Sequence, residues 1–417
     1  MRKIFSAVDI GSSFIKIVVL EDFNNKLNVL SSICFPSDGV KAGLIVDDAK
    51  VVNSLKSAFN EINRSLGVKV DKVIASVPTN NAKYTLNSGY TTITSSDRVI
   101  TSEDILNALQ ASIYNKIDDS MELVTVMPIK YLVDDKAEVD NPRGICAEKL
   151  SVYSMTVTAP KKNVYKTVTV LSQAGLEVVD ILFNSIGDYY AFKEKDFDES
   201  VVGIINIGND KTELTTFNNG IITNSTLIQD GSSLIEGDIS YVYNISNDKA
   251  KKIKEMFLVL DKNYASKSEI YETKDNSNMK VKINQYEVSE IAENKLKEIL
   301  EKSKKELNYL TKKEIRYIII TGGIGNIPGF DSICFEVFGE QTKVKPINTI
   351  GIRNLSYSSS YGMVKYFINK LNLRGRNYTM FNEEKQYKLI ENRRNEDNTN
   401  SFKIGKLFGR FFDNKEE

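Results

Sequence analysis

The stretch Val8-Asp9-Ile10-Gly11-Ser12-Ser13, continuing as Phe14-Ile15-Lys16-Ile17-Val18-Val19-Leu20, decides how this chain is read. An apolar strand pattern starts near Lys3, is broken by one carboxylate and a Gly-Ser-Ser turn, and then resumes. Packing alone gives no reason for an acid at the waist of such a pattern. A glycine turn at a strand end leaves backbone N–H groups facing an anion, because no side chain blocks the approach. An acid on that turn can hold a phosphate-bound Mg²⁺, directly or through water. Lys16, on the second strand, can reach a phosphate as a point charge. The stretch therefore reads as one side of a phosphate site, although a single Gly-Ser turn is too common to carry that assignment.

Further along, the theme recurs. Val201–Gly208 is a second apolar strand running into Asn209-Asp210-Lys211-Thr212, and Tyr317–Thr321 is a third, ending in Gly322-Gly323-Ile324-Gly325 ahead of a helix. The repetition predicts three strand-and-turn units, each opening its own layer. Around them, Lys26–Phe35 reads as a strand, Asp47–Leu66 as a helix ending before Gly67, and Val73–Pro78 as a buried strand. Residues 84–160 read as an inserted subdomain of short strands around a helix at Ser102–Tyr114. Asp196-Phe197-Asp198-Glu199-Ser200 reads as a domain boundary. Residues 238–310 are mainly helical with a β-like interruption at Val281-Lys282-Ile283, and Tyr361–Leu371 closes the folded part as a helix.

Composition narrows the function. At 417 residues the chain exceeds one ordinary core and implies two or more domains. Charged residues are 26% and hydrophobic residues 41%, a globular balance. Lys+Arg and Asp+Glu are both 55, so net charge gives no reason to expect nucleic acid as a partner. Histidine is absent, which removes Ser-His-Asp and Cys-His catalysis and every His-containing metal site. Cys34, Cys146 and Cys334 form no CxxC pair and read as reduced thiols. The N-terminus lacks an apolar run of signal-peptide length, and no segment approaches the roughly 20 apolar residues of a spanning helix. The body of the chain reads as cytosolic.

The end of the sequence has a different character. Residues 372–400 are rich in Asn, Arg, Glu and Lys and read as a flexible tether. In 401–417, Ile404, Leu407, Phe408, Phe411 and Phe412 recur at i, i+3, i+4, i+7 and i+8, so a helix gathers them into one stripe, with Phe402 just before it. Lys403, Lys406 and Arg410 flank the stripe. Anionic lipid adds about 1 kcal/mol per basic residue near a membrane surface, beside the burial of the phenylalanines. With Gly405 and Gly409 inside it, so short a helix is marginal in water and is expected to form on a membrane.

Taken together, Asp9-x-Gly11-Ser12-x-x-x-Lys16, the 206–212 loop and Thr321-Gly322-Gly323 resemble the two phosphate loops and the adenosine motif of the actin-like ATPase superfamily. With the insertion and the tail in this order, the chain is similar to the bacterial cell-division FtsA family over nearly its whole length. The resemblance implies an α/β, two-lobed, actin-like (ribonuclease H-like) fold with an inserted α+β subdomain and a C-terminal amphipathic helix. It divides the chain into a lobe-one core (1–83 and 161–199), the insertion (84–160), a lobe-two core (200–237 and 311–371), a small helical subdomain (238–310), the tether (372–400) and the membrane-targeting helix (401–417). It also implies ATP and Mg²⁺ as cofactors. Asp9 and Asn206 would order the metal and water, with Asp9 meeting the metal directly or through water. Gly11, Ser12, Ser13, Gly208, Lys211 and Thr212 would line the phosphates, and Lys16 would neutralise them. Gly231 and Lys254 would lie under the nucleotide, and Gly322, Gly323 and Ile324 against adenosine. Implied partners are the FtsZ C-terminal tail on 238–310, further copies of the chain in a filament, anionic lipid on 401–417 and other division proteins on 84–160, at the cytoplasmic side of the septal membrane.

Departures from the superfamily pattern bear on turnover. Asn206 stands where relatives have Asp, and a neutral amide cannot act as base toward water. Asn209-Asp210 replaces glycines, and Lys251 stands where relatives often carry Glu. Nucleotide binding with weak or absent hydrolysis is the expectation. Rival readings are a sugar or acetate kinase of the same superfold, which needs a catalytic Asp and a second small-molecule site, and a PilM- or MreB-like actin homologue.

Overall fold

The computed structural model describes residues 2–24, 26–344 and 346–389. Lobe one starts with a three-stranded meander, β1 (Lys3–Ile10), β2 (Phe14–Phe23) and β3 (Lys26–Pro36), followed by a small hairpin, β4 (Val40–Lys41) and β5 (Leu44–Ile45). Helix α1 (Asp48–Leu66) is capped at both ends: the Asp47 side chain accepts from Lys50 N, and Gly67 takes the left-handed conformation. Its buried stripe, Val51, Val52, Leu55, Ala58, Phe59, Ile62 and Leu66, is the one the periodicity predicts. Strand β6 (Lys72–Val77) then pairs parallel to β1.

The insertion follows as β7 (Lys83–Thr92), α2 (Ser102–Ile113), β8 (Met121–Val133), β9 (Ala137–Val139) and β10 (Lys149–Pro160). It forms an antiparallel sheet in the order β7-β10-β8-β9, with a core of its own that includes Ile105, Leu109, Tyr131 and Val152. A capping box between Thr101 and Asp104 starts α2. The chain returns to lobe one through α3 (Lys161–Gln173) and β11 (Glu177–Phe183), and α4 (Asn184–Phe192) crosses to lobe two.

Lobe two repeats the plan with β12 (Val201–Ile207), β13 (Thr212–Asn218) and β14 (Ile221–Ile228). A helical subdomain follows, with α5 (Ser233–Tyr243), α6 (Asn247–Met256), a hairpin of β15 (Ile270–Lys274) and β16 (Lys280–Asn284), and the long α7 (Gln285–Leu310). Strand β17 (Tyr317–Thr321), α8 (Phe330–Phe338), β18 (Thr342–Lys343) and α9 (Ser358–Leu373) complete it. The two main sheets have matching orders, β3-β2-β1-β6-β11 and β14-β13-β12-β17-β18: each is a meander whose first strand takes two parallel strands on its other side. This duplication puts the β1–β2 and β12–β13 turns at equivalent places. The third glycine turn is not a third unit opening its own layer. It leaves β17, which lies beside β12 in the same sheet with Thr321 opposite Asn206, so the second and third turns share one sheet edge.

The polar composition after residue 372 also misleads at first. Helix α9 runs to Leu373, and the following segment packs back on lobe one. Met380 N donates to Ile4 O (2.9 Å), Ile4 N donates to Thr379 Oγ1 (3.0 Å), and Met380, Phe381 and Leu389 are buried. Lys385 pairs with Asp71 at 2.6 Å. A few apolar side chains among many polar ones are enough to seat the segment, so the expectation of a flexible tether starting at 372 is corrected for the described residues up to 389. Residues 390–400 and the 401–417 amphipathic pattern, from Phe402 to Phe412, lie outside the described residues. Among the described residues no helix is long and apolar enough to cross a membrane.

Candidate functional site

Between the lobes lies a cleft of about 700 Å³, and it gathers chain segments that are far apart in sequence. Asp9, Gly11, Ser12, Ser13 and Lys16 line it from lobe one; Asn206, Gly208, Lys211, Lys254, Gly322, Gly323 and Ile324 line it from lobe two. Thr212 and Gly231 stand behind the second turn instead. Thr212 is fully buried and donates to Asp230 O (2.7 Å), and Gly231 packs directly on the Asn209 backbone.

Each turn is held by its own backbone. Gly11 N donates to Phe14 O (3.1 Å), and Gly208 N donates to Lys211 O (2.9 Å). Ser232 N and Ser233 N donate to Gly208 O and Asn209 O, which ties the second turn to the start of α5. On the lobe-one side Asp9 is almost fully engaged. Its Oδ1 accepts from Ser76 Oγ (3.1 Å) and Asn184 Nδ2 (3.0 Å), and its Oδ2 pairs with Lys16 Nζ (3.0 Å). The antiparallel register sets Lys16 directly opposite Asp9. Lys254 is buried, donating to Ser232 Oγ (3.2 Å) and paired with Glu236.

Asn206 does not face open cleft with its amide N–H. It donates to Asp188 Oδ2 (2.6 Å), and Asp188 also accepts from Thr321 Oγ1 (3.2 Å), Ser358 Oγ (2.6 Å) and Ser359 Oγ (2.9 Å). One carboxylate on the first crossing helix therefore joins β12, β17 and the second crossing helix. Burial, reinforced by Glu213 nearby, pushes the Asp188 carboxyl up to about 6 from an ordinary 3.8, with the donors Ser358, Asn206 and Ser359 opposing that rise. The folded state thus holds this proton more tightly than the unfolded chain. Its stabilising effect is complete below about pH 4 and is lost as pH rises through about 6, an effect of about 3 kcal/mol. The stability of the natural chain relative to Asp188→Asn, followed by urea unfolding, should fall by that order between pH 4 and pH 7. A difference that stays flat over this range contradicts the assignment.

The second turn also reaches across the cleft. Asp210 Oδ2 accepts from Ala42 N at the tip of the β4–β5 hairpin (2.9 Å), its Oδ1 accepts from Asn209 Nδ2 (2.7 Å), and Gly43 N donates to Ser12 Oγ (3.2 Å). Burial pushes the Asp210 carboxyl up, but the hydrogen bonds from Ala42 N, Asn209 and Ser12 hold it below the usual carboxylate value. Lys211 crosses in the same direction, and its Nζ donates to Asn80 Oδ1 (3.1 Å). Beneath it Glu213 is buried. Its Oε1 has no hydrogen-bond partner among the described residues, and the Thr79 and Ser185 hydroxyls lie beside it without closing bonds of normal geometry.

Sequence reasoning missed Asn184, Asp188, Ser76 and Glu213. A signal existed for the first two. They sit four residues apart in the largely apolar Asn184–Phe192 stretch, which puts both polar groups on one helix face. Glu213, an acid within the buried strand β13, is a second such signal.

Comparison with known proteins places this geometry. Residues 203–362 match the family model for "Cell division protein FtsA", and residues 80–158 match that for the "SHS2 domain inserted in FTSA". The chain is 28% identical over 377 residues to the cell division protein FtsA of Bacillus subtilis (strain 168), covering 90% of this chain and 86% of that protein. Among solved structures it is similar in fold to a PilM–PilN type IV pilus biogenesis complex, with a TM-score of 0.57, 12% identity, and 87% of this chain and 98% of that one covered. It is also similar to MreB5 of Spiroplasma citri bound to ADP, with a TM-score of 0.54, 16% identity, and 90% and 99% covered. At these identities the solved structures speak for the two-lobed actin-like fold alone. With the insertion and the second lobe each matched, and nine-tenths of its length aligned to a curated member, the chain belongs to the FtsA family of cell-division proteins.

Proposed function

We propose that this protein binds ATP in the interlobe cleft, polymerises on the cytoplasmic face of the membrane at the division septum, and tethers FtsZ filaments there. The observation that carries the nucleotide reading is the convergence of Gly11–Ser13, Gly208–Lys211 and Gly322–Ile324 on one cleft. ATP acts as a conformational ligand: contacts to both lobes favour the closed state by their differential affinity for it. FtsZ would dock on the helical subdomain at 238–310, other division proteins on the insertion, and anionic lipid on 401–417. The kinase rivals require a catalytic Asp in the cleft; Asp9 and Asp210 are both committed to hydrogen bonds instead.

Hydrolysis is proposed to be slow or absent. Asn206 is neutral and occupied by Asp188, and Asp188 is enclosed by four donors. A paired experiment tests the proposal. Full-length protein should co-sediment with anionic vesicles, while the chain lacking residues 401–417 should stay in the supernatant. In the same preparation, steady-state phosphate release should stay near background. Equal vesicle binding by the truncated chain defeats the anchor assignment, and brisk phosphate release defeats the reading of Asn206.

The donor set fits magnesium poorly. Mg²⁺ takes a near-octahedral shell of oxygens, usually with one or two carboxylates beside phosphates and water. Three of the acceptor positions of Asp9 are taken, one of them by an ammonium group. Among the described residues no three Asp, Glu, His or Cys side chains form a metal-binding group.

A further inference from the structure

We propose that Lys16 from lobe one and Lys211 from lobe two take the place of a divalent cation in this cleft, so that ATP binds without requiring Mg²⁺. The inference rests on the reading of the cleft as a nucleotide site and concerns how that site neutralises phosphate.

The two ammonium groups belong to the two equivalent strand–turn–strand units, Lys16 on strand β2 and Lys211 in the turn. Lys16 stands opposite Asp9 across the β1–β2 hairpin, and Lys211 is the last residue of the β12–β13 turn. Both line the cleft. Lys211 is the less expected of the two. Its side chain is half-buried, and its hydrogen-bond partner among the described residues is the neutral Asn80 Oδ1, with Glu213, Asp210 and Asp9 acting on it through space rather than through an ion pair. An ammonium has three donors, and burying one without a paired carboxylate is costly. An arriving phosphate would give Lys211 a directly hydrogen-bonded anion through charge-assisted bonds.

The acids that would hold a metal are meanwhile committed elsewhere. Asp9 is bound by Lys16, Ser76 and Asn184; Asp210 by Ala42 N and Asn209; and the Asp of relatives is here Asn206, turned to Asp188. Glu213 keeps a free oxygen, but burial favours its neutral form, and the charge acting on it most strongly is that of Lys211. Two ammonium groups lining one cleft disfavour a hard dication beside them and attract a triphosphate.

The test is calorimetric titration of the full-length protein with ATP in two buffers, one with excess EDTA and one with excess MgCl₂. The expected dissociation constants differ by less than about threefold, and Lys211→Met raises the EDTA value by at least about tenfold. Binding by the natural chain that needs Mg²⁺, lost by tenfold or more in EDTA, overturns the inference and leaves the nucleotide site standing. An unchanged EDTA affinity in Lys211→Met overturns the role given to that residue. Failure of ATP to bind in either buffer overturns the nucleotide reading itself, and the inference with it. The two-buffer comparison on the natural chain holds whether or not the variant folds.

Discussion

Gly322→Val should abolish ATP binding and lower the unfolding free energy by about 4 kcal/mol. Gly322 has φ 112° and ψ 167°, a backbone region that side chains other than hydrogen almost never occupy. Its Cα also lies against the end of β12, where an added Cβ would overlap the carbonyl oxygen of Ile207. Ile207 immediately precedes the Gly208 turn. Any shift that admits valine therefore separates the turn assigned to adenosine from the turn assigned to phosphate, so stability and affinity should fall together. Gly323→Ala is the contrasting case, since its added Cβ would meet only Ser356 Oγ, at 3.6 Å. Urea midpoints and ATP titration of both variants check this. Tight binding by Gly322→Val would mean that the third turn takes no part in the site.

The second large effect is expected where the lobes are joined. Helices α4 and α9 cross at Gly187 and Gly362 so closely that a Cβ on Gly362 would overlap the Gly187 carbonyl, and one on Gly187 would overlap that of Ser359. Gly362→Val must force the helices apart. The same crossing positions Ser358 and Ser359 on Asp188, so the separation also breaks that buried network. Overpacking and two lost hydrogen bonds to a buried carboxylate together should cost about 5 kcal/mol. Gly237, inside α5, provides the opposite sign: a Cβ there meets nothing within 4 Å, and Gly237→Ala should stabilise the chain by up to about 1 kcal/mol. Equal urea midpoints for the two variants would contradict the close crossing.

These features differ in how far the sequence discloses them. The β1–turn–β2 unit is legible because its signals are local: two nearly continuous apolar runs flank one misplaced acid and a glycine turn. Helix α1 is legible for the same reason, from its caps and its stripe. The loops are legible through their resemblance to the family's motifs, and all the residues so expected except Thr212 and Gly231 line the cleft. What the sequence hides is pairing across distance. Nothing near Asp210 announces that it will accept a hydrogen bond from Ala42, 168 positions earlier. Asn206 reads as a phosphate-side residue until α4 brings Asp188 beneath it. The stretch after 372 reads as a tether because Met380 and Phe381 are too few to form a period, yet they find a seat beside β1.

The interlobe contacts seen here, Asp210 to the β4–β5 hairpin and Lys211 to Asn80, are made by the same turn proposed to hold phosphate. Lobe-to-lobe contact and the proposed phosphate site thus share the Gly208–Lys211 turn, so a nucleotide bound there is expected to shift the lobe geometry.

A crystal structure of the full-length protein grown with ATP bears most directly on the central claim. The expected result is one nucleotide between the lobes, its phosphates against the turns at Ser12–Ser13 and Asn209–Lys211 and its adenosine against Gly322 and Gly323. A nucleotide seated on any other surface, or one touching only a single lobe, would contradict it.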